Sequence, residues 1–560
     1  MKKLELLLNA GKITILIIVF LFLIGNVKPY YEAKDAHLYE IVAVNLSNGI
    51  YSDTNNLLQE TKRSEFVGSN WIQTNQGDTA IPISGAGLAV IGTFFYVLGG
   101  HVGLLLLSPI FAILLLIFTE RIATNLFGKY VGLLALLFLA TSNLLYRNSI
   151  LLQTEAVFSV FFILGTFFLI KSLKTKKNYQ FFLASLFFMF TAFIRTNGII
   201  FFPIEIGVLI GYFAISNYPR IRISKSTLKT AVLILIPLII FAGFYLAHNA
   251  YFYGDPFTNY LSQLESNTSY ETDVKSLVKF ETQDFENARE YSKYFLPYQF
   301  PAVFNRTSEN LENTLAEEWL GTLALLILST ILFVSLWKRK RRTELIVFAV
   351  LIAGNLWFFS SITTELRASV GVAARYMLPG FTLTSIIFGY LIIEFFRLNP
   401  QKNLIRKILK ISGIIVLIGF FSVAFYFWPT MDGILNTGID IANIEKFASR
   451  YPLDLEGLEN NDVGLAANTD RIREYGVIPF ILYPPNVISS DSVILLKKIL
   501  QDGYDVYVLK EPTTKYEKDS LRFLINEHGF MIKDHSKSFC KIVIDEEGKF
   551  QKTDNICLEN

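Results

Sequence analysis

Lys34-Asp35-Ala36-His37-Leu38-Tyr39-Glu40-Ile41-Val42-Ala43-Val44-Asn45-Leu46-Ser47-Asn48-Gly49-Ile50-Tyr51 is the stretch around which the rest of the chain is organised. It follows the first apolar segment, Ile13 to Gly25, where a chain that has just crossed a bilayer meets water again. On a helix, Asp35, Tyr39, Val42, Ala43 and Leu46 recur at three- and four-residue spacing, so a carboxylate and a phenol share one face with apolar residues. Gly49 is placed to stop that helix, because a residue without Cβ enters the left-handed conformation of a C-terminal cap freely. Two readings of Asp35 stand side by side: the N-cap of an amphipathic helix, where Asp is favoured, or a carboxylate pointing into a cavity at the membrane surface.

Outward from this stretch, the chain is too apolar for an ordinary soluble protein. Of its 560 residues, 52% are hydrophobic and 15% aromatic, the mean hydropathy is +0.41, and many apolar runs approach the length that spans a bilayer. It reads as a polytopic α-helical membrane protein. The net charge of +3 is small for this length, so the positions of Lys and Arg matter more than their sum, and nothing points to nucleic acid. The first apolar run lacks a small-residue cleavage site and reads as a retained helix with a cytoplasmic N-terminus. His37, His101, His248, His528 and His535 are scattered without metal-ligand spacing.

Further apolar segments lie at 84–99, 101–119, 130–145, 154–170, 180–194, 197–215, 228–247, 319–337, 343–361, 376–396 and 408–428. If the Gly-rich 84–99 piece crosses the membrane, the Lys-rich loops that follow fall outside, against the positive-inside tendency. If it is a surface or re-entrant element, all of them fall inside, which leaves about eleven spanning helices and an extracytoplasmic C-terminus. The same topology brings Asp35, Glu155, Arg195, the Gly254-Asp255-Pro256 turn and Arg375 to the outer face. Residues 1–428 thus read as the membrane domain, with outer loops at 28–100 and 248–318. Residues 429–560 read as an extracytoplasmic α/β domain, because β-branched and aromatic runs such as Asp505 to Leu509 alternate with helical stretches at Ser492 to Leu500 and Lys515 to His528. Cys540 and Cys557 share that side, where a disulfide is allowed. Three sequons, at Asn45, Asn267 and Asn305, also lie there.

The pattern Asp-x3-Tyr-x3-Ala-x2-Leu-x2-Gly-x-Tyr, met as Asp35, Tyr39, Ala43, Leu46, Gly49 and Tyr51, resembles the first extracytoplasmic loop of the GT-C glycosyltransferases. More narrowly it is similar to the branch of protein O-mannosyltransferases and the lipid A aminoarabinose transferase. The resemblance implies that Asp35 is the catalytic carboxylate and that Tyr39 contacts substrate. Ala36 stands where relatives often carry a second acid. Glu155, which opens an apolar run, matches an acidic residue facing the active-site cavity, although it also reads as an interface marker. Arg195, between two apolar runs, resembles a phosphate-binding Arg of the family, although it could snorkel to headgroups. Arg375-Tyr376-Met377-Leu378-Pro379 looks like the family's late motif, with Arg375 on a lipid phosphate, Tyr376 beside it and Arg367 a weaker candidate; an interfacial anchor is the alternative. Tyr251 to Phe257 resembles a turn that follows a spanning helix in these enzymes. Pro82 to Gly99 resembles their second juxtamembrane helix, without the basic residue that commonly precedes that proline.

Function follows from the resemblance as an expectation: transfer of a sugar from a polyprenyl- or dolichyl-phosphate carrier to a hydroxyl acceptor at the extracytoplasmic face of a cell membrane. The partners are then a lipid-phosphate-linked donor, a hydroxyl-bearing protein, lipid or glycan, and membrane lipids. The resemblance leaves open whether a divalent cation, Mg or Mn, takes part. A transporter or flippase of lipid-linked sugars, or a non-catalytic glycan-binding relative, are the competing readings.

Overall fold

The computed structural model describes residues 2–27, 34–49, 53–54, 71–73, 79–82, 86–195, 198, 201–216, 225–253, 255–256, 343–344, 347–352, 354–355, 378–397, 463–466, 478–481, 490–501, 503–509, 515–528, 530–534 and 539–544. The apolar segments 319–337 and 408–428 and residues 345–346, 353 and 356–361 of the 343–361 segment lie outside these residues, as do Arg367, Arg375 and Tyr376.

Helix α1 (Lys2–Gly25) turns Ile13, Ile17 and Ile18 outward and buries Val19, Phe22 and Leu23. At about 1.5 Å per residue it is long enough to cross a bilayer of about 30 Å. Helix α2 (Lys34–Ser47) is the stretch quoted first, and it ends as its sequence predicts. The Asn48 and Gly49 amides donate to the Asn45 and Leu46 carbonyls at 3.0 Å each, and Gly49 adopts φ +79. Three short strands follow, β1 (Asp53–Thr54), β2 (Trp71–Gln73) and β3 (Thr79–Pro82), forming an antiparallel sheet of order β1-β3-β2. Sequence periodicity did not announce this sheet.

Helix α3 (Ala86–Leu105) bends sharply at Gly99 and Gly100. Gly100 has φ 58 and ψ −147, a conformation that residues with a Cβ rarely adopt. By length and composition Gly87–Leu105 is a candidate span, but the arm before the elbow is only about 20 Å long, short of the bilayer's apolar thickness. After the elbow the chain runs on into α4 (Leu107–Phe127). Pro109 brings no backbone donor for the Leu105 carbonyl, which accounts for the break at Leu106. Helix α5 (Lys129–Ala140) is shorter than the 130–145 segment, because Ser142 caps a new helix, α6 (Asn143–Arg147), by accepting from the Leu144 amide at 3.1 Å.

Helices α7 (Thr154–Thr175) and α8 (Asn178–Ile194) form an antiparallel hairpin zipped by phenylalanines. Phe161 stacks on Phe190 at 5.1 Å, Phe168 stacks on Phe187 at 5.6 Å, and Phe162 meets Phe188 at 6.2 Å. In helix α9 (Phe201–Ser216), Phe201 packs on Phe158, Phe162 and Phe188. Helix α10 (Lys225–Tyr253), which contains Pro237, is held to α8 where Ser185 Oγ donates to the Ile234 carbonyl at 2.7 Å. Helix α11 (Leu378–Arg397) lies on α5, with Phe388 edge-on to Phe138 at 3.8 Å. One continuous apolar core joins these helices. Two ion pairs brace the bundle, Lys12 with Glu120 and Lys174 with Glu344.

The C-terminal region has its own core, built from Val493, Leu496, Leu521, Leu524, Phe530 and Ile542. Strands β4 (Val463–Ala466), β5 (Ile478–Ile481) and β6 (Val506–Leu509) are parallel, and β7 (Phe530–Asp534) and β8 (Phe539–Ile544) extend the sheet antiparallel in the order β5-β4-β6-β8-β7. Helices α12 (Ser490–Gln501) and α13 (Lys515–His528) fall on the expected helical stretches. The first supplies the crossover that parallel strands β5 and β6 require. Cys540 is buried and disulfide-bonded; Cys557, the chain's second cysteine, lies outside the described residues.

Candidate active site

Two of the sequence-predicted residues meet. Glu155 sits in the first turn of α7 and Arg195 caps the C-terminus of α8, and the hairpin sets these two helix ends beside each other. The helix dipole favours an anion at the first position and a cation at the second, so each charge is stabilised by its own helix before the two interact. Arg195 Nη1 donates to Glu155 Oε1 at 2.9 Å and to Thr154 Oγ1 at 3.2 Å. Glu155 is 4% exposed and Arg195 21%. A carboxylate buried to that degree needs a charged or hydrogen-bonding partner, and the guanidinium supplies it while reaching toward the surface.

The frame around the pair is built from close backbone approaches. Ser108 Oγ accepts from the Gln153 amide at 3.2 Å, which holds the start of α7 to the start of α4. After Arg195 the chain turns tightly, the Gly198 amide donating to the Arg195 carbonyl at 2.8 Å. Helix α3 abuts the peptide just before Arg195: a Cβ on Gly87 would come within 2.4 Å of the Phe193 carbonyl oxygen. The same helix packs on α2, where the Thr93 hydroxyl, shared with the Ala89 carbonyl of its own helix at 2.9 Å, lies 3.2 Å from the Ala43 carbonyl and a Cβ on Gly92 would lie 3.2 Å from that of Ala43. Helix α3 therefore joins the helix that carries Asp35 to the helix end that carries Arg195.

Asp35 lies in the first turn of α2, and its side chain is outside the described residues. Tyr39, Val42 and Ala43 from its expected face are buried, and Tyr39 belongs to the main core. The Asp255-Pro256 turn is closed by Asn249, whose Nδ2 donates to the Pro256 carbonyl at 3.2 Å, which is a structural task. Arg375, Tyr376 and Arg367 lie outside the described residues. Among the described residues no group of three or more His, Cys, Asp and Glu side chains gathers to hold a metal ion.

Three features escaped the sequence reading. Thr154 shares the guanidinium with Glu155. Glu40, beside Tyr39, is buried with its Oε1 3.0 Å from His101 Nδ1, a pairing across 61 positions that no local pattern signals. Glu205 on α9 is fully buried, and neither carboxylate oxygen has a hydrogen-bond partner among the described residues. Its signal was in plain view as an acid inside the run Phe201-Phe202-Pro203-Ile204-Glu205-Ile206.

No family model matches the chain, and no curated protein matches it. Solved structures do. The crystal structure of ArnT from Cupriavidus metallidurans bound to undecaprenyl phosphate is similar with a TM-score of 0.51 at 10% identity, over 96% of this chain and 98% of that one. The oligosaccharyltransferase of Archaeoglobus fulgidus, tethered by a disulfide to an acceptor peptide containing the NVT sequon, is similar with a TM-score of 0.51 at 10% identity, over 96% of this chain and 74% of that one. At that identity the likeness concerns the fold. Spanning nearly the whole chain, helical membrane bundle and C-terminal α/β domain together, it establishes that the chain has the GT-C glycosyltransferase fold.

Proposed function

We propose that the protein is an integral-membrane glycosyltransferase that moves a sugar from a polyprenyl- or dolichyl-phosphate carrier to a hydroxyl acceptor at the non-cytoplasmic face. The observation that carries this reading is the Glu155–Arg195 pair: a guanidinium held at a helix end by a buried carboxylate is a preorganised anion site. It is supported by the undecaprenyl phosphate bound to the similar ArnT and the acceptor peptide on the similar oligosaccharyltransferase. Residues 1–428 form the membrane domain with a cytoplasmic N-terminus, and 429–560 form the outer domain.

In the reaction, the acceptor oxygen forms a bond to the anomeric carbon while the bond from that carbon to the lipid phosphate breaks. Asp35 takes the hydroxyl proton as general base, a role worth about 10² to 10⁴ in rate. The departing phosphate keeps the bonding electron pair. Arg195 and Arg375 receive that charge through planar forks that match phosphate oxygens. Glu155 holds Arg195 in place, and Tyr39 and Tyr376 border the substrates.

A second reading, a flippase of lipid-linked sugars, is favoured by one observation, the buried Glu205 inside an apolar helix. Mass spectrometry of envelope lipids, glycans and proteins decides between them in cells with the gene, without it, and with Asp35→Asn. The enzyme reading expects a glycosylated product that vanishes with the gene and with Asp35→Asn at normal membrane levels. A product unchanged by Asp35→Asn overturns it.

A further inference from the structure

We infer that Glu40 and His101 form a positioning pair that fixes the rotation of α2 across the α3 elbow, and so the aim of Asp35; the catalytic consequence rests on the proposed role of Asp35. Helix α2 is fastened to both sides of the bend. Before the bend, Gly92 and Thr93 hold Ala43. Just after it, His101 Nδ1 lies 3.0 Å from Glu40 Oε1. The imidazole packs in a T-shaped contact with Tyr96, the ring centroids 5.2 Å apart across the bend. Helix α2 thus acts as a splint over the two glycines.

The pair costs something to hold, which a merely spacing residue would avoid. Glu40 is 3% exposed, and a carboxylate so buried needs a partner; His101 Nδ1 meets it at ion-pair distance, outside hydrogen-bond geometry. Ala36, Tyr39, Val42 and Ala43 bury the apolar side of the helix, and the pair adds a directed polar contact that ties its rotation to the far side of the bend. Asp35 lies about 7.5 Å from Glu40 along the axis of the same helix. A roll of about 20° would swing a carboxylate that stands about 6 Å from the axis by about 2 Å. A misplacement of about 1 Å already costs on the order of 10²-fold in rate.

The test uses the full chain. His101→Ala and His101→Asn are expressed in cells lacking the gene, and the glycosylated product is measured against the membrane level of each protein. In His101→Asn the amide nitrogen takes the place of Nδ1. The pair predicts product at least 10-fold lower for His101→Ala, recovery with His101→Asn, and no further loss when Glu40→Ala is added to His101→Ala. On the proposed function, undecaprenyl phosphate should raise the thermal midpoints of purified wild type and of His101→Ala equally. A geometric arm needs no activity: spin labels at Asn48→Cys on the end of α2 and Lys176→Cys on the far hairpin should give a shifted or broadened distance distribution with His101→Ala and the wild-type distribution with His101→Asn. An unaltered distribution in His101→Ala overturns the proposal. If the distribution moves while Asp35→Asn leaves product intact, the pair stands and the catalytic reading of Asp35 is what fails.

Discussion

Arg195 Nη1 donates to Glu155 Oε1 at 2.9 Å, so the C-cap residue of one helix neutralises a buried acid in the first turn of its neighbour. The two partners are not equivalent in what their loss does. Arg195→Ala strands a buried carboxylate and should destabilise the fold by about 3 to 5 kcal/mol. Glu155→Gln keeps the shape and a hydrogen-bond acceptor and should cost less stability than that, yet lower product formation by loosening the guanidinium. Thermal unfolding in detergent, set beside product yield in cells, separates the two. Arg195→Lys should restore the charge but not the activity, since an ammonium lacks the planar fork.

Glu205 offers a gain in stability. A fully buried carboxyl without a hydrogen-bond partner among the described residues costs about 1 to 3 kcal/mol relative to a bonded group. Glu205→Met, similar in volume and apolar, should raise the thermal midpoint by a comparable free energy. On the enzyme reading product formation persists; on the flippase reading it is lost with the transported sugar. The thermal midpoint and the product yield of that one variant report both.

Gly100→Ala should destabilise by about 1 to 3 kcal/mol, because φ 58 with ψ −147 is reserved for glycine. Gly99→Ala, at φ −148, should cost less. Equal losses in thermal unfolding would show that the elbow does not depend on the backbone conformation of Gly100.

Gly87→Ala probes the joint between α3 and α8. A methyl 2.4 Å from the Phe193 carbonyl oxygen must push the two helices apart, since backbone cannot swing aside as a side chain would. Activity should fall more than stability, because the shift bears directly on Arg195. A comparison of product yield with thermal midpoint checks this, and an unchanged yield would remove α3 from the support of the site.

Much of the fold was legible in the residue pattern because its signals are local. The length of an apolar run marks α1, α7 and α10, a glycine after the last periodic position marks the end of α2, and alternation with amphipathic stretches marks the α/β domain. Glu155 and Arg195 stood out because charges at the edges of apolar runs need a reason, and the hairpin brought them together. The β1-β3-β2 sheet was not legible: its strands are two to four residues long and pair with partners that no periodicity names. The Glu40–His101 contact was hidden for a related reason, since only the bend at Gly99 and Gly100 returns His101 to α2. The early end of α5 turned on one hydroxyl, that of Ser142, whose preference for capping outweighed the apolar run around it.

The bend has a consequence for the chain as a whole. Straight, α3 would reach about 30 Å and could pierce the bilayer. Each added crossing swaps the sides on which all later loops emerge. In the proposed topology, two adjacent glycines therefore keep the parity of the entire protein, and with it the leaflet where the outer domain comes to rest.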